Sequence, residues 1–543
     1  MPPKGSKRKA ATQASTSTAK QPKQEGQKAV SKDLYIPIDE GYQAEESGGE
    51  ERKQGTAIPR AIAPHTTDSV QFYRLQLLEG KTKCHVHTRW GRVGEFGQVK
   101  TMDFDDFEEA MKEFQKKFKD KSGLAWDDRD QEPKKGKYAW LQMDYTGEDD
   151  AEHEVKKEED DDDTKELVES KLPKQTQRLM ELIFNENHFN SVLENIGYNQ
   201  EKLPLGKLGK STIQRGFEQL RELSSLIRHP TLSQNKYGTS QQEALEDFSN
   251  RYYSTIPHVF GRTRPPVIDN NDILTREVAM LDTLTDMEVA NSIMKSDSRH
   301  KDADSVAKID QRFGQLKLAK CEPLEQKSTE YQALKNYLIN TAGHTHNIRY
   351  RLQDIFRIER EGESERFEQS GFSGIKDKNR RLLWHGSRTT NYGGILSQGL
   401  RIAPPEAPVN GYAFGKGVYL ADISTKSANY CVSSSSANTG LLLLCEAELG
   451  NPMYELLSGD SAAQEKAEKA GAIATLGIGR TVPRGWVDAG DFITEDLRGV
   501  MIPDPEKEPG DQTNHPNAFL QYNEYICYSV EQIRLRYLIR FQL

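Results

Sequence analysis

The sequence has few cysteines and no pair of them at the spacing of a metal site. Its five cysteines lie far apart among 543 residues, at positions 84, 321, 431, 445 and 527, and no CxxC motif occurs. Disulfide frameworks and structural zinc sites both need cysteines close to one another. The sequence therefore predicts neither a disulfide scaffold nor a bound metal, and it favours a reducing compartment.

Long apolar runs are also missing. No stretch of about 18 apolar residues is present, and the charged N-terminus lacks the apolar core of a signal peptide. We therefore expect a soluble, intracellular protein that does not bind membranes. No GxGxxG motif follows a predicted strand, which argues against a Rossmann-type dehydrogenase.

Large apolar residues are nearly absent before Leu34. That region consists mostly of Lys, Gln, Ser, Thr, Ala and Gly, and such a composition cannot bury enough surface to fold. We predict a disordered basic tail over residues 1–62. Its cluster Lys7-Arg8-Lys9 is compatible with a nuclear address that also touches DNA phosphate, and equally with a merely solvating tail.

The net charge of −9 conceals a strongly acidic segment in the middle of the chain. Residues 146–170 contain the run Glu158-Glu-Asp-Asp-Asp-Asp163, which is too charged to pack. We predict a flexible linker here. At about 150 residues per domain, the rest of the chain has room for three folded domains.

Periodicity assigns a fold class to each of these domains. In residues 63–145, two alternating runs around Gly80 predict paired strands, and apolar residues at helical spacing from Phe107 predict a helix, together a small α+β domain. Four amphipathic helices in series predict an all-α bundle over residues 171–300. Residues 310–543 mix short strands and helices, which predicts an α+β domain with antiparallel sheets.

The last domain contains three motifs that are far apart in sequence. A buried strand, Leu382-Leu-Trp384, ends at the polar sequence His385-Gly386-Ser387, where free backbone groups can bind a ligand. A second strand is followed by a short helix with Tyr430 at its end. The third motif, Asn523-Glu524-Tyr525, lies in an alternating aromatic strand.

In this order, the motifs resemble the His-Tyr-Glu signature of the poly(ADP-ribose) polymerases. The likeness is to the DNA-dependent nuclear forms, without zinc fingers, and it covers about residues 63–543. It implies a WGR domain, a regulatory helical domain and a catalytic domain. The implied activity is NAD⁺-dependent ADP-ribosylation of the protein itself and of chromatin and repair proteins, activated by DNA strand breaks in the nucleus.

The resemblance also implies roles for the motif residues in cleaving the nicotinamide–ribose bond of NAD⁺. This is a glycosyl transfer with an oxocarbenium-like transition state, in which the carboxylate of Glu524 would stabilise positive charge. Tyr430 and Tyr419 would sandwich nicotinamide. The remaining residues implied in binding NAD⁺ are His385, at the adenosine ribose, Gly386 and Ser427, at the carboxamide, and Ser387, Lys426 and Arg401.

Two further sets of residues follow from the same likeness. Trp90, Arg92, Lys121 and Tyr138 would lie near a broken DNA end, where aromatic rings stack and cations bind phosphate. Trp90 taken alone is more typical of a core position, and only the surrounding family pattern favours a DNA contact. Asp282 would lie on the face of the bundle that covers the NAD⁺ site until DNA binds. Two alternatives stay open. The bundle can regulate the site or merely support the domain, and the acidic linker can be an acceptor for self-modification or a plain spacer.

Some positions depart from the family pattern. Ala279 occupies an acidic position of the family, Ala413 replaces a larger Met near the acceptor pocket, and the chain ends without a terminal Leu-Trp. Compared with the family, we therefore expect a weaker contact between the bundle and the NAD⁺ site, a different polymer length and a different choice of acceptor residue, in the same order. A mono-ADP-ribosyltransferase and an inactive DNA-end-binding scaffold are the alternatives to a polymerase.

Overall fold

The computed structural model describes most of the chain beyond the first fifty positions. The described residues are 54–56, 61–62, 71–79, 82–92, 97–129, 131, 134, 137–138, 140, 169–200, 202–260, 264–295, 307–511 and 515–543. Of residues 54–56, 61–62, 71–72 and 92 only the backbone is described. The Lys7-Arg8-Lys9 cluster and the acidic run 158–163 lie outside the described residues. The described residues belong to one unit, Tyr35–Leu543.

The first domain is an antiparallel sheet with a helix packed on it. Its strands are β1 (Gln54–Thr56), β2 (Ala61–Ile62), β3 (Gln71–Glu79), β4 (Cys84–Arg92) and β5 (Gln98–Phe104), and its helix is α1 (Phe107–Ser122). The strand order is β1-β3-β4-β5, with β2 also paired to β3. The predicted hairpin is confirmed as β3–β4. Phe114 and Phe118 of α1 are buried against the sheet, as their spacing predicted.

The pairing of β1 and β2 reaches into the segment predicted as the tail. Both strands hydrogen-bond to β3 through their backbones, in register from Gln54 opposite Glu79 and from Ala61 opposite Tyr73. Regular structure therefore begins before residue 63, where the sequence pattern placed the start of the first domain. Backbone pairing along a strand edge needs no large apolar side chains, so composition did not reveal it.

The second domain consists of helices. These are α2 (Lys174–Ile183), α3 (Glu186–Asn195), α4 (Lys210–Arg228), α5 (Gln241–Thr255) and α6 (Asn271–Lys295). The first predicted helix is two helices, because Asn185 starts a new one by accepting a hydrogen bond from the N–H of His188 at 3.2 Å. Helix α4 follows Gly209 and has no side-chain cap at its N-terminus.

The third domain contains the remaining elements. They are α7 (Lys308–Gln315), β6 (Leu318–Pro323), α8 (Thr329–Asn340), β7 (Arg351–Arg360), α9 (Glu363–Gln369), β8 (Arg380–Ser387), α10 (Tyr392–Gln398), β9 (Val418–Leu420), α11 (Ser424–Asn429), β10 (Thr439–Glu448), β11 (Tyr454–Leu456), α12 (Ala463–Lys469), β12 (Ala474–Gly477), β13 (Gly479–Val482), β14 (Trp486–Asp488), α13 (Ala489–Phe492), β15 (Met501–Pro503), β16 (Gly510–Asp511), β17 (Leu520–Tyr522), β18 (Glu524–Cys527) and β19 (Ile533–Gln542).

Three sheets organise this domain. The largest has the order β14-β15-β8-β10-β19-β7-β6, and the others have the orders β11-β12-β18-β9 and β16-β13-β17. Most neighbours are antiparallel, but β8–β15, β11–β12 and β13–β17 are parallel. The multidomain α+β class is confirmed, and the sheets are mixed where antiparallel ones were expected. The predicted buried run Leu382-Leu-Trp384 lies fully buried in the middle of β8.

The aromatic strand predicted over residues 522–528 is divided. Tyr522 ends β17 in one sheet, and Glu524 begins β18 in another. The alternation of buried and exposed side chains predicted there is wrong, because residues 522–527 are all buried. The break is at Asn523, whose side-chain oxygen accepts a hydrogen bond from the N–H of Gly479 at 2.9 Å.

Helix α6 of the bundle packs directly on the third domain, and glycines permit its close approach. A Cβ added at Gly393 of α10 would lie 2.6 Å from the Cβ of Ala290 on α6. One added at Gly411 would lie 2.9 Å from the side chain of Val278, also on α6. Both distances are too short for any larger residue without a shift of α6.

Candidate functional site

The imidazole of His385 is held in one orientation at the end of β8. Its Nδ1 lies 3.0 Å from the carbonyl oxygen of Tyr419 on β9. A carbonyl can only accept, so Nδ1 carries the proton and Nε2 is an acceptor in the neutral ring. Burial lowers the pKa of His385, and the hydrogen bond to Tyr419 acts in the opposite direction. Nε2 makes no hydrogen bond within the described part of the chain.

Gly386 presents a free stretch of backbone. One residue pair earlier, Trp384 exchanges both of its backbone hydrogen bonds with Ala421, at 2.8 and 2.9 Å. Because hydrogen-bonding direction alternates along a strand, Gly386 directs its N–H and C=O to the same side, away from β10. No described strand pairs with Gly386 on that side. Its donor and acceptor are therefore placed for a planar amide.

Helix α11 lies very close to this strand. A Cβ at position 386 would lie only 1.9 Å from the backbone oxygen of Ser427, so glycine is required by the close approach. The hydroxyl of Ser427 donates to the carbonyl of Trp384 at 3.0 Å. Its hydrogen is therefore used, while its oxygen lone pairs can accept a second hydrogen bond. The next strand residue, Ser387, accepts a hydrogen bond from the side-chain amide of Asn391 at 3.0 Å.

Glu524 is a buried carboxylate paired with one cation. It is 7% exposed, and its Oε1 lies 3.2 Å from Nζ of Lys426 on α11. Its other oxygen has no partner within the described residues. The same ammonium donates to the carbonyls of Tyr522 and Asn523, at 3.1 and 3.2 Å. Burial lowers the pKa of Lys426, and the charge of Glu524 opposes this shift.

Two tyrosines lie close to this carboxylate. The hydroxyl of Tyr419 donates to the carbonyl of Gly415 at 2.7 Å and accepts from the N–H of Phe414 at 2.9 Å. Tyr430 follows α11, and its side chain is 60% exposed. Desolvation of the hydroxyl, and then the negative charge of Glu524, raise the pKa of Tyr430 to about 12. Burial raises the pKa of Tyr419, and the charge of Glu524 adds to that effect.

The predicted site residues therefore fall into two groups. Those that the structure brings together are His385, Gly386, Ser387, Tyr419, Lys426, Ser427, Tyr430 and Glu524. Arg401 is placed differently, because its guanidinium forms an ion pair with Asp286 of α6 and donates to Gln398 at 2.9 Å. The implied role of Arg401 in binding NAD⁺ stays a prediction.

Helix α6 contacts the rim of this site at three points. Asp282 accepts a hydrogen bond from the hydroxyl of Tyr412 at 2.9 Å, and Arg388, just after β8, donates to the hydroxyl of Thr283 at 3.2 Å. The pair of Asp286 with Arg401 is the third contact. Burial raises the pKa of Asp282 to about 7, against the opposing effect of the hydrogen bond from Tyr412. Burial likewise raises the pKa of Asp286 to about 6, against the charge of Arg401.

The predicted DNA-binding residues surround a tyrosine that sequence analysis did not single out. Trp90 is partly buried and stacks on Tyr73 with ring centroids 6.1 Å apart. Nζ of Lys121 lies 4.6 Å from the centre of the Tyr73 ring, and the Tyr138 ring is 5.9 Å away. Arg92 ends β4, and its side chain lies outside the described part. Tyr73 lies opposite Trp90 in the hairpin, and this register was the available signal.

Several residues of the site were missed. Tyr412, Asp286 and Arg388 connect the rim to α6, and Asp422 lies fully buried beneath the strand of Glu524. Each bonds with residues that are distant in sequence, so no local pattern reveals it. Among the described residues, no three His, Cys, Asp or Glu side chains form a possible metal site. No described helix has both the length and the apolarity needed to cross a bilayer.

Family models match most of the chain. The model of the poly(ADP-ribose) polymerase catalytic domain matches residues 328–543, and that of the poly(ADP-ribose) polymerase regulatory domain matches residues 170–313. The WGR domain model matches residues 64–133. A WGR domain implies nucleic-acid binding, and the catalytic domain implies ADP-ribosylation of proteins with NAD⁺ as substrate.

Curated poly(ADP-ribose) polymerases are similar over most of the chain. Poly [ADP-ribose] polymerase 2-A of Oryza sativa subsp. japonica is 41% identical over 480 residues, which cover 86% of this chain and 67% of that protein. Poly [ADP-ribose] polymerase 2 of Homo sapiens is 38% identical over 481 residues, 87% of this chain and 77% of that protein. Poly [ADP-ribose] polymerase 1 of Danio rerio is 39% identical over 476 residues but only 43% of its own length. The chain therefore belongs to the poly(ADP-ribose) polymerase family of NAD⁺ ADP-ribosyltransferases.

Proposed function

We propose that the protein is activated by DNA strand breaks and then elongates poly(ADP-ribose) on itself and on chromatin and repair proteins in the nucleus. The observation that carries the chemical part of this proposal is the convergence of His385, Tyr430 and Glu524 around one opening. Three motifs that are separated in sequence supply a fixed acceptor, an exposed aromatic face and a buried carboxylate. NAD⁺ is the substrate, and no metal takes part.

The nicotinamide end of the substrate is bound by α11 and the free edge of β8. The N–H and C=O of Gly386 match the acceptor and donor of a carboxamide, and the hydroxyl oxygen of Ser427 can accept its second N–H. Tyr430 exposes a ring face that can stack on the pyridine. Tyr419 lies on the other side, with its ring fixed by hydrogen bonds at its hydroxyl.

The two ribose rings of NAD⁺ are bound by charge and by hydrogen bonds. Nε2 of His385 is an acceptor and suits a ribose hydroxyl, because Nδ1 donates to Tyr419. The unpartnered oxygen of Glu524 can accept from the ribose that loses nicotinamide. Its negative charge opposes the positive charge that develops there, and low exposure strengthens that effect. Lys426 orients the carboxylate through Oε1.

DNA would act through the first domain and reach the site through the bundle. The surface around Tyr73 combines aromatic rings with the ammonium of Lys121, which suits an exposed base or sugar next to phosphate. Trp140 of this domain accepts a hydrogen bond through its carbonyl from Arg215 on α4, at 2.5 Å. Helix α6 of the same bundle then contacts the rim of the site through Asp282, so α6 is the element whose displacement would open the site.

The proposed function is tested by following nicotinamide release from NAD⁺ with and without a 5′-phosphorylated nicked duplex, and by running the products on a gel. We expect turnover to rise with the nicked duplex and the protein to appear as a high-molecular-weight smear. A single small shift in mobility would indicate mono-ADP-ribosylation. No nicotinamide release, with or without the nicked duplex, would indicate a DNA-binding scaffold and would contradict the proposal.

A further inference from the structure

Asp422 is a fully buried carboxylate that binds both chain neighbours of Glu524. Its Oδ2 accepts a hydrogen bond from the side-chain amide of Asn523 at 2.8 Å and another from the hydroxyl of Tyr525 at 2.9 Å. The side chain is 0% exposed, and its other oxygen has no partner among the described residues. Tyr525 follows Glu524 in β18, and successive side chains on a strand point to opposite faces, so the bond from Tyr525 lies on the face opposite to the Glu524 carboxylate.

The two donors are themselves fixed in orientation. The side-chain oxygen of Asn523 accepts from the N–H of Gly479 at 2.9 Å, which directs its amide nitrogen to Asp422. The hydroxyl of Tyr525 accepts from Arg381 at 2.8 Å, and the guanidinium of Arg381 lies 4.0 Å from the centre of the Trp486 ring. Burial raises the pKa of Tyr525 far above its usual range, so its hydroxyl remains a donor.

Asp422 is also fixed on its own side. The preceding residue, Ala421, forms two backbone hydrogen bonds with Trp384, which is the neighbour of His385. Lys426 lies four residues after Asp422. Its ammonium contacts the carbonyls of Tyr522 and Asn523 and the carboxylate of Glu524. The segment 422–426 therefore binds the strand of Glu524 from both faces.

We propose that Asp422 is a positioning residue for the ADP-ribosyl transfer, which fixes the carboxylate of Glu524 relative to His385 by binding Asn523 and Tyr525. Glu524 acts on the substrate, and Asp422 acts only through the strand that carries Glu524. The inference rests on the proposed role of Glu524. A single carboxylate oxygen that accepts two hydrogen bonds gives short, directional contacts, which suits this purpose better than an apolar contact.

Misplacement of a reacting group by about 1 Å can lower a rate by roughly 10²-fold. Removing the carboxylate at position 422 should therefore lower kcat and leave the affinity for NAD⁺ nearly unchanged, because the groups around nicotinamide lie on β8 and α11. A purely structural role would instead lower the amount of folded protein, and the protein that does fold would keep the kcat and the KM of the parent.

The test uses the full chain with a nicked duplex and measures nicotinamide release at a series of NAD⁺ concentrations. The variants are Asp422→Leu, which removes the acceptor, Asp422→Asn, which keeps a neutral acceptor, and Asn523→Asp, which places two carboxylates together. The double variant Asp422→Asn/Asn523→Asp exchanges donor and acceptor, and the new carboxylate can still accept from Gly479. Thermal unfolding of each variant shows how much of it is folded.

We expect about 10²-fold loss of kcat for Asp422→Leu and for Asn523→Asp, with KM within about twofold of the parent, and a smaller loss for Asp422→Asn. The double variant should recover part of the activity lost in Asn523→Asp, because it restores the bond between positions 422 and 523 but not the bond from Tyr525 to the same atom. Parent-like kcat in Asp422→Leu, or a loss confined to KM, would overturn the inference. If Asp422→Leu does not fold, the double variant decides. An activity of the double variant no higher than that of Asn523→Asp also overturns the inference.

A structural measurement separates this inference from the proposed function. In a crystal structure of Asp422→Asn or Asn523→Asp, the Glu524 carboxylate should move out of hydrogen-bond distance of Lys426 in at least the second variant. An unmoved Glu524 in Asn523→Asp contradicts the positioning role even where the parent is active. A parent that releases no nicotinamide contradicts the proposed function, while the displacement still tests the role of Asp422.

Discussion

The carboxylate of Asp282 on helix α6 accepts a hydrogen bond from the hydroxyl of Tyr412, on the proline-rich loop of the catalytic domain, at 2.9 Å. This bond joins the regulatory bundle to the rim of the site at a position where burial raises the pKa of Asp282 to about 7. We therefore expect the strength of this contact between the two domains to depend on pH near neutrality.

The stability of the folded protein should fall as pH rises through this range. The folded state binds a proton at Asp282 up to about pH 7, whereas an unfolded aspartate releases it near pH 3.9, so stability is lost between about pH 4 and 7. Asp282→Asn keeps an acceptor for Tyr412 and cannot ionise. We expect it to raise Tm at pH 8 by at least roughly 2–4 °C, equivalent to about 1 kcal/mol. Asp286, with a pKa raised to about 6, leaves some pH dependence of the same sign.

Thermal unfolding of the parent and of Asp282→Asn between pH 5 and pH 8 measures this effect. The two Tm curves should converge at low pH and separate at high pH. Parallel curves would mean that Asp282 does not titrate in this range.

The close approach of α6 at Gly393 offers a test of the bundle as a gate. Gly393→Ala adds a Cβ that would lie 2.6 Å from the Cβ of Ala290, so α6 has to shift. We expect higher nicotinamide release without DNA and therefore a smaller stimulation by a nicked duplex. Gly374→Ala is the matched control, because a Cβ there meets nothing within 4 Å. Unchanged DNA-free turnover in Gly393→Ala would favour a bundle that merely supports the domain.

The stacked pair of Trp90 and Tyr73 tests the DNA-sensing surface. Trp90→Ala removes the outer ring of the pair and should abolish stimulation by nicked DNA while sparing turnover in its absence. The expected loss of binding is about 1–3 kcal/mol, the usual value for one stacked base. Val99→Ala, on the neighbouring strand β5 and 44% exposed, is the control for a general effect on the domain. Stimulation that persists in Trp90→Ala places the sensor elsewhere.

Local sequence patterns were sufficient for the elements that depend on near neighbours. The apolar run Leu382-Leu-Trp384 and the helical spacing from Phe107 predicted a buried strand and a helix, because burial on one or both faces determines such patterns. The convergence of His385, Tyr430 and Glu524 came from a family likeness, since periodicity alone cannot bring together segments that are 45 and 94 residues apart in the chain.

The errors have a common physical cause in long-range bonds. The ion pair of Arg401 was not predicted, because its partner Asp286 lies 115 residues earlier in the chain. The strand over residues 522–528 was expected to be continuous, but the side chain of Asn523 bonds to Gly479 and Asp422 and divides it. Neither partner is visible to a window of neighbouring residues.

The central claim is that the carboxylate of Glu524 promotes transfer to the growing chain, and one variant tests it most directly. Glu524→Gln keeps the shape of the side chain and removes its charge, and Glu531→Gln, an exposed glutamate nearby, is the control. Polymer length is measured on a gel after incubation with NAD⁺ and nicked duplex, beside NAD⁺ binding to the same protein. We predict parent-like NAD⁺ binding with elongation reduced by roughly 10²–10³-fold or more; polymer of parental length from Glu524→Gln would contradict the account.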